Sequence, residues 1–577
     1  MCGIIGMTQN NNYSAKNNLL AALKRLEYRG YDSCGFATSE GVISKEIGKI
    51  STFIDQIDDL DFTTAICHTR WGTHGGITKI NAHPHFNEKK TIFAVHNGIL
   101  ENFAELKKML EDNGYNFVSD TDSEIIPHYF DMELAKGKTV EEIIRKFFID
   151  AKGTFAVLLM IKGQDKIYAF KKDSPLVLGL CKDKIVLASD IYAFSNLTDK
   201  AIFFDDYQYA VIKPDRFDFY DKEGDLIEKE ITRFEWSSEE ETKEEFLHYM
   251  IKEIKEQPVT SKRLIGGLAT IQRERLDEVT SLIRSAGKIV FVSCGTSYHA
   301  SLIGAHLLGM LGFSVHAIIA SEFDTFYSLD ENTLIIALSQ SGETMDVVTV
   351  LKKAKKKGAS VASIVNVPYS TIQRLSDISL EIQAGQEISV ASTKAFTNQI
   401  ILLLAIAKEL GYEINLEDIP ARISKTIEIN EDIAKNIAQE LYKKNDIFVL
   451  GKGSSYPVAR EIALKLKEVA YVHAEGMMAG ELKHGTIALV EEGTPVISMI
   501  PNNNPDMISS TKEVEARGAR ILIISNTNGD FHLPESGDCD FAIYAAIVGH
   551  LLSYYVALKR GCEIDCPRNL AKSVTVR

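Results

Sequence analysis

Apolar and polar positions are patterned in two different ways along this chain, and the change of pattern divides it. Up to about residue 235 the apolar runs are short and strand-like: Phe36-Ala37, Ala65 to Cys67, Ile92 to Val95, Phe155 to Ile161, Ile167 to Phe170 and Ile185 to Ala188. Helical spacing intervenes at Asn17 to Leu26 and at Phe103 to Leu110. Strands mixed with a few helices predict an α+β domain. The polar, acidic run Trp236 to Glu245 then reads as a linker or an exposed helix start. Beyond it strands and helices alternate, the pattern of parallel α/β sheets.

This second half also repeats itself. The run Ile289 to Tyr298 resembles Ile447 to Tyr456 at an offset of 158. Thr333 to Leu338 matches Thr494 to Met499 at 161, and Ser363 to Asn366 matches Ile523 to Asn526 at 160. Three strands in one order at nearly one offset predict two copies of a doubly wound domain, with ligands beyond the carboxyl ends of the strands.

Composition narrows the function. The chain has 577 residues and a net charge of -15, against a nucleic-acid footprint. Eight cysteines, at 2, 34, 67, 181, 294, 539, 562 and 566, show no paired spacing that completes a zinc site. No basic segment followed by an apolar run opens the sequence, and the apolar stretch Ile400 to Ala407 is too short to span a bilayer. These features predict a soluble protein of the reducing cytoplasm that binds neither nucleic acid nor membrane.

The candidate chemistry begins at Cys2. Removal of Met1 leaves Cys2 with a free α-amino group, which titrates near pH ~8 and is a general base for its own thiol. Polar clusters follow at His68-Thr69-Arg70-Trp71-Gly72-Thr73-His74-Gly75, Asn81 to His85, His96-Asn97-Gly98 and Thr121-Asp122. Five of the fourteen histidines lie between 68 and 96, yet none has the i, i+4 spacing of a helical metal motif, so no metal site is expected. An amide-hydrolysing pocket fits better. Asn97 and the Gly98 N–H supply oxyanion donors. Arg70 suits an amino-acid carboxylate and Asp122 its ammonium.

In the second half, Leu338-Ser339-Gln340-Ser341-Gly342-Glu343-Thr344 follows a strand and opens a helix, an arrangement that suits a phosphate. Thr296 and Ser297 end the preceding core strand and converge on the same anion. The second copy replaces this turn with Pro501 to Pro505. It offers instead Lys465 and Glu468 on one helical face, followed by His484. The tail after Lys572 is uncharged and β-branched up to Val576, which predicts its burial.

Cys2-Gly3-Ile4-Ile5-Gly6, Tyr28-Arg29-Gly30-Tyr31-Asp32-Ser33, the His68 run, His96-Asn97-Gly98 and Asp122 resemble the N-terminal-nucleophile, class II glutamine amidotransferases. The repeated half resembles flavodoxin-like sugar isomerase (SIS) domains. Together, over essentially the whole chain, they are similar to the glutamine–fructose-6-phosphate aminotransferases (isomerising), or glucosamine-6-phosphate synthases. The resemblance implies a glutaminase domain over 2–235, a linker over 236–250, SIS domains over 251–415 and 416–566, and an active-site tail over 567–577. It implies conversion of fructose 6-phosphate and glutamine to glucosamine 6-phosphate and glutamate, the first step toward amino-sugar nucleotides, without a cofactor.

Roles follow residue by residue from the same resemblance. Cys2 forms a γ-glutamyl thioester, Asn97 and Gly98 form the oxyanion hole, and Arg29, Arg70, Thr73, His74 and Asp122 bind glutamine. Trp71 gates an ammonia channel. Thr296, Ser297, Ser339, Gln340, Ser341 and Thr344 bind the sugar phosphate, and Val390 and Ser392 contact the sugar. His484 assists ring opening from a neighbouring subunit, which implies a homodimer. Lys572 forms an imine with the open-chain ketose, and Glu468, beside Lys465, moves a proton between C1 and C2. Three alternatives stand beside this reading. A phosphoribosyl amidotransferase requires a pyrophosphate loop in place of the repeat. A non-catalytic phosphosugar regulator requires loss of Cys2, Glu468 or Lys572. The same chemistry on another ketose phosphate shares every motif.

Overall fold

The computed structural model describes residues 2–58, 60–72, 75–235 and 242–575. The chain divides into two units, Met1–Glu241 with Ser573–Arg577, and Thr242–Lys572.

The first unit is built on two antiparallel sheets. In the eight-stranded sheet, Gly3–Ser14 lies between Lys184–Ala188 and Asp61–Arg70, and Ser33–Thr38 pairs with the far side of Asp61–Arg70. In the seven-stranded sheet, Ile92–Leu100 pairs with Gly153–Ile161, which pairs with Ile167–Lys172. Period-two alternation sends neighbouring residues to different cores. Phe93, Val95, Leu158 and Met160 join Ile4, Ile66 and Leu187 of the other sheet in one apolar cluster. Ala94, Val157 and Leu159 instead meet the helices Phe103–Asp112, Ile125–Ala135 and Val140–Asp150 in a second cluster. The helical period from Asn17 to Leu26 becomes a wide π-type turn, Ala15–Leu20, running into a short α-helix, Ala21–Lys24. Ser14 starts it by accepting the Asn17 N–H at 3.0 Å.

The second unit holds the two copies. The first sheet runs in the order Val315–Ile319, Lys288–Ser293, Thr333–Ser339, Ser360–Val365, Ile378–Glu381. The second runs His473–Met478, Asp446–Gly451, Pro495–Ile500, Arg520–Ser525, Phe531–His532. Both are wholly parallel and both follow the order 2-1-3-4-5, the flavodoxin-like winding. The repeat seen in the sequence is therefore a repeat of topology. One face of each sheet enters a common core, where Phe291 and Ile336 of one copy share a cluster with Val449 and Ile497 of the other. The opposite faces keep separate small cores under the helices Met345–Lys356 and Pro505–Glu515.

Two helices fill the common core. Lys394–Glu409 is buried at every position from Lys394 to Ala407. Phe541–Arg560 is long and apolar enough to cross a membrane by length and composition, but 89% of its apolar window is buried inside the protein. The residues read as the end of the linker already belong to the fold. The helix Tyr249–Lys255 begins there, and Asp565 accepts its first N–H groups, Tyr249 at 2.9 Å and Met250 at 3.0 Å.

Helix Phe541–Arg560 crosses Ser455–Ala470 at Gly549, where an added Cβ would meet Ile462 Cγ1 at 2.3 Å. Leucine is a better helix former than glycine, yet overpacking a core costs about 1–3 kcal/mol. Gly549→Leu is therefore expected to lower the denaturant midpoint of the second unit. An unchanged or raised midpoint would show the crossing to be loose.

Candidate active sites

In the first unit, strand pairing brings the dispersed clusters together. Gly3 pairs with Thr69 and Ile4 with His68, so Cys2 lies beside Arg70 and Trp71. Cys2 Sγ accepts the Trp71 N–H at 3.2 Å. Burial pushes its thiol above the ordinary range, while the Trp71 N–H and the Arg70 charge act the other way. A thiol held up in this way needs a base to become nucleophilic. Asp32 of the Tyr28–Ser33 motif shapes the turn after Arg70: its Oδ2 accepts the Gly72 N–H at 2.8 Å. Arg70 is buried, donates to the Gly75 and Gly76 carbonyls, and lies within electrostatic reach of Cys2, Asp32 and Asp122. Asp122, also buried, accepts the Leu100 N–H at 2.8 Å.

Asn97 is bonded to Cys2. Its Nδ2 donates to the Cys2 carbonyl at 3.0 Å, which leaves its second N–H to be offered elsewhere. His68 Nε2 lies 3.1 Å from both Asn97 Oδ1 and the His96 carbonyl oxygen. Both are acceptors, so Nε2 carries the proton and the amide is fixed with its nitrogen toward Cys2. Gly98 has φ +133°, and a Cβ there would lie 2.0 Å from the Thr154 carbonyl oxygen; only glycine fits.

The histidine cluster is a stack. His83 lies on His68 at 4.0 Å between ring centroids, with His85 edge-on to His83. Burial holds His68 down to about 3 and His83 and His85 well below the usual imidazole range, so all three are neutral. Among the described residues no group of three or more His, Cys, Asp or Glu side chains is placed to hold a metal. Arg29 is committed elsewhere: its guanidinium pairs with Asp190 and donates to the Tyr28 hydroxyl at 3.1 Å. It is a buried ion-pair member here. Thr73 and His74 lie outside the described residues.

In the second unit the serine-rich turn precedes helix Met345–Lys356, whose N-cap, Thr344, makes no side-chain cap bond. Thr344 Oγ1 instead lies 3.2 Å from Ser339 Oγ, and Ser339 Oγ accepts the Gly342 N–H at 3.0 Å. Gly342 has φ +67°, and a Cβ there would collide with Ser370 Oγ. The turn thus presents hydroxyls at a helix N-terminus without spending them on capping, an arrangement suited to an anion. The second copy differs at the same place. Asn504 Oδ1 accepts the Asp506 and Met507 N–H groups, each at 3.1 Å, so this helix caps itself.

A buried charge cluster joins the copies. Glu461 accepts from Thr296 Oγ1 at 3.0 Å and pairs with His299 Nδ1 at 2.7 Å, both from the first copy. Lys465 Nζ lies 3.4 Å from Glu461 and 2.5 Å from Glu468, and donates to Thr296 at 3.1 Å. Thr296 is therefore tied to this cluster, while Ser297 Oγ accepts from Gln399 Nε2 at 2.9 Å. Burial pushes the Glu468 carboxyl up, with Lys465 opposing it. Burial also raises Glu461, but Lys465 and His299 outweigh it and hold that carboxyl down to about 2.

Lys572 is buried, with Nζ donating to Glu387 Oε2 at 2.6 Å and the Ser389 carbonyl at 2.7 Å. Val390 lies in the same loop, its N–H on the Asp565 carbonyl at 3.0 Å, and Ser392 Oγ donates to Glu387 at 2.8 Å. In the tail Ser573 and Thr575 are buried and Val574 is exposed; Val576 and Arg577 lie outside the described residues. His484 is exposed at the end of a short 3₁₀ segment, Ala479–His484. Sequence reasoning missed Glu461, His299, Glu387 and Glu253. Glu461 lies one turn before Lys465, so the i, i+4 spacing was available; the others carry no local signal.

A family model described as a glutamine amidotransferase domain matches residues 76–196, and one described as a SIS domain matches 282–408 and 440–551. The chain is 40% identical to the glutamine–fructose-6-phosphate aminotransferase (isomerizing) of Thermococcus kodakarensis and 38% to that of Clostridium acetobutylicum, over the full length of this chain and of each relative. Of solved structures, it is similar to the C-terminal domain of glucosamine-fructose-6-phosphate aminotransferase from Francisella tularensis, 34% identical with TM-score 0.52, covering 57% of this chain and 100% of that one. A Thermotoga maritima glucosamine-6-phosphate deaminase, 24% identical with TM-score 0.51, covers the same shares and shares the fold.

Glu461 has a clear pH signature. Its carboxyl is held near 2 when folded and titrates near ~4.3 when unfolded, so it stabilises the fold above the unfolded value. That contribution is lost as pH falls toward the folded value. Glu461→Gln is expected to lower the denaturant midpoint at pH 7, with the deficit shrinking as pH falls from about 4 to about 3. A deficit independent of pH would place the loss in packing rather than charge.

Proposed function

The chain belongs to the glutamine–fructose-6-phosphate aminotransferase (isomerizing) family, and on that footing we propose which of its residues carry each step. It transfers the amide nitrogen of glutamine to fructose 6-phosphate, giving glucosamine 6-phosphate and glutamate. The division at 2–235, 236–250, 251–415, 416–566 and 567–577 stands as glutaminase, linker, two SIS domains and active-site tail, except that Tyr249 and Met250 pass from the linker into the first helix of the SIS half.

Once Met1 is removed, the α-amino group of Cys2 takes the proton of its thiol, and the sulfur attacks the glutamine amide carbon. Asn97 Nδ2 and the Gly98 N–H stabilise the oxyanion. Ammonia leaves with the transferred proton, and water hydrolyses the γ-glutamyl thioester to glutamate. Arg70 holds the α-carboxylate of glutamine and Asp122 its ammonium. Trp71, whose N–H meets the Cys2 sulfur, gates the release of ammonia.

In the isomerase half, Ser297, Ser339, Gln340, Ser341 and Thr344 hold the phosphate, and Val390 and Ser392 contact the sugar. Thr296 acts through Lys465 and Glu461. His484 assists ring opening in the site of a second copy. Lys572 forms an imine at C2 of the open ketose, and ammonia then displaces the lysine. Glu468 moves a proton from C1 to C2, leaving the 2-amino aldose. The observation that carries this assignment is the Lys465–Glu468 pair. A carboxyl that burial pushes up, hydrogen-bonded to a buried lysine, is suited to accept and return a proton near neutrality. The acidic balance of the chain fits a protein that binds no nucleic acid, the burial of the one helix long and apolar enough to cross a membrane among the described residues fits a cytoplasmic protein off the membrane, and the role given to His484 implies a homodimer.

Incubation with amide-¹⁵N glutamine and fructose 6-phosphate is expected to give ¹⁵N-glucosamine 6-phosphate by mass spectrometry. Cys2→Ala is expected to abolish glutamine use while sparing isomerisation of the sugar phosphate; loss of both in a folded variant contradicts two separate sites. Mixing the inactive variants His484→Ala and Lys572→Ala after dissociation is expected to restore about a quarter of native activity, because half the dimers are mixed and each has one intact site. No recovery in verified mixed dimers would place His484 in its own subunit's site.

A further inference from the structure

Lys572 has a partner that the reaction scheme above does not use. Its ammonium lies against Glu387, and the two side chains are 2% and 0% exposed. Every direction around that carboxylate is occupied. Oε1 accepts the Thr393 N–H at 2.9 Å and the Ala395 N–H at 3.1 Å. Oε2 accepts from Ser392 Oγ at 2.8 Å and from Lys572 Nζ at 2.6 Å. Thr393 and Ala395 open helix Lys394–Glu409, so a helix N-terminus is aimed at the carboxylate and favours its charge. Burial raises Glu387, but Lys572 and these N–H groups hold it well down.

A second buried acid braces the same loop. Glu253 Oε1 accepts the Ile388 N–H at 2.5 Å and the Ser389 N–H at 3.1 Å, while its Oε2 has no partner among the described residues. Burial and the neighbouring Glu387 charge push Glu253 up, so it is largely neutral and does not compete for the lysine. The other groups that face Glu387 electrostatically are Lys465 and His550, while Lys394 faces Glu253, and Lys572 is also felt by Glu253 and Glu468. Lys394 is spent on Glu256 at 2.7 Å, Lys465 on Glu461 and Glu468, and burial holds His550 neutral. Glu387 is therefore the carboxylate in contact with the Lys572 ammonium.

We propose that Glu387 is the positioning residue of Lys572, holding its ammonium in the resting site and taking its proton when the ketose arrives. This rests on the reading of Lys572 as the imine-forming lysine. The step balances. One ammonium proton moves to Glu387 Oε2, and the freed nitrogen pair forms the N–C2 bond. A second nitrogen proton reaches the former carbonyl oxygen. Glu387 returns its proton to that oxygen as the C2–O bond breaks, which releases water and leaves the protonated imine. Ser392, donating to the same carboxylate, couples the sugar-contact loop to this exchange.

The test is Glu387→Gln, with Glu387→Asp as the rescuing variant, in the full-length enzyme. The native enzyme, trapped with borohydride in the presence of fructose 6-phosphate, is expected to carry a hexose phosphate adduct on Lys572. In Glu387→Gln, kcat for glucosamine 6-phosphate is expected to fall about 100-fold, the scale of a lost proton acceptor, with KM for the sugar changed little. Its rate is expected to rise about tenfold per pH unit where the native profile is level, because solvent hydroxide must replace the carboxylate. Glu387→Asp is expected to recover part of kcat and the level profile, and the denaturant midpoint of the second unit, measured on the same samples, reports folding. A native adduct on Lys572 together with a level profile in a folded Glu387→Gln, or a loss confined to KM, overturns the role of Glu387 alone. Absence of any adduct on Lys572 in the native enzyme overturns the imine reading and this inference with it.

Discussion

The carboxylate of Glu461 is the contact on which the isomerase unit depends. It lies on a helix of the second copy, is 0% exposed, and takes hydrogen bonds from Thr296 and His299 of the first copy. A charge so deep is tolerated only when it is matched by partners on several sides. The match fixes the rotation of helix Ser455–Ala470 against helix Gly295–Met310. That rotation in turn sets Lys465 between Glu461 and Glu468. The common apolar core brings the copies together by area alone, which is non-directional; Glu461 adds direction.

Much of this architecture was legible in the sequence, and for identifiable reasons. The duplicated sheets showed because buried parallel strands are continuous apolar runs, and three of them recurred at nearly one spacing. The glutaminase sheets showed as short alternating runs, and Phe93 and Ala94 indeed point to different cores. The serine-rich turn was readable because hydroxyls and a positive-φ glycine at a helix start are local signals. Glu387 and Glu253 were not readable, since an acid matched by main-chain N–H groups and by residues far away in sequence looks like any surface acid. Arg29 is unreadable in the opposite sense. Its motif was local, but its partner, Asp190, is 161 residues away.

The glutaminase site shows how a cluster of histidines can serve without titrating. Stacked, buried and held neutral, His68, His83 and His85 act as rigid polar plates. His68 uses its single N–H to orient the Asn97 amide, so the direction of that amide's N–H groups is set by a tautomer rather than by a charge. The backbone at Gly98 completes the geometry because no side chain fits there. Cys2, by contrast, is left half-buried just before a strand.

Asn504 carries a last consequence. By closing its own helix N-terminus, the second copy has filled with an internal ligand the position that, on the proposed reading, its twin keeps for an outside one. The duplicated unit is thus symmetric in winding and asymmetric in occupancy. On the proposed assignment each chain takes one phosphosugar, not two, so any cooperativity between sugar sites has to be a property of an assembly of chains.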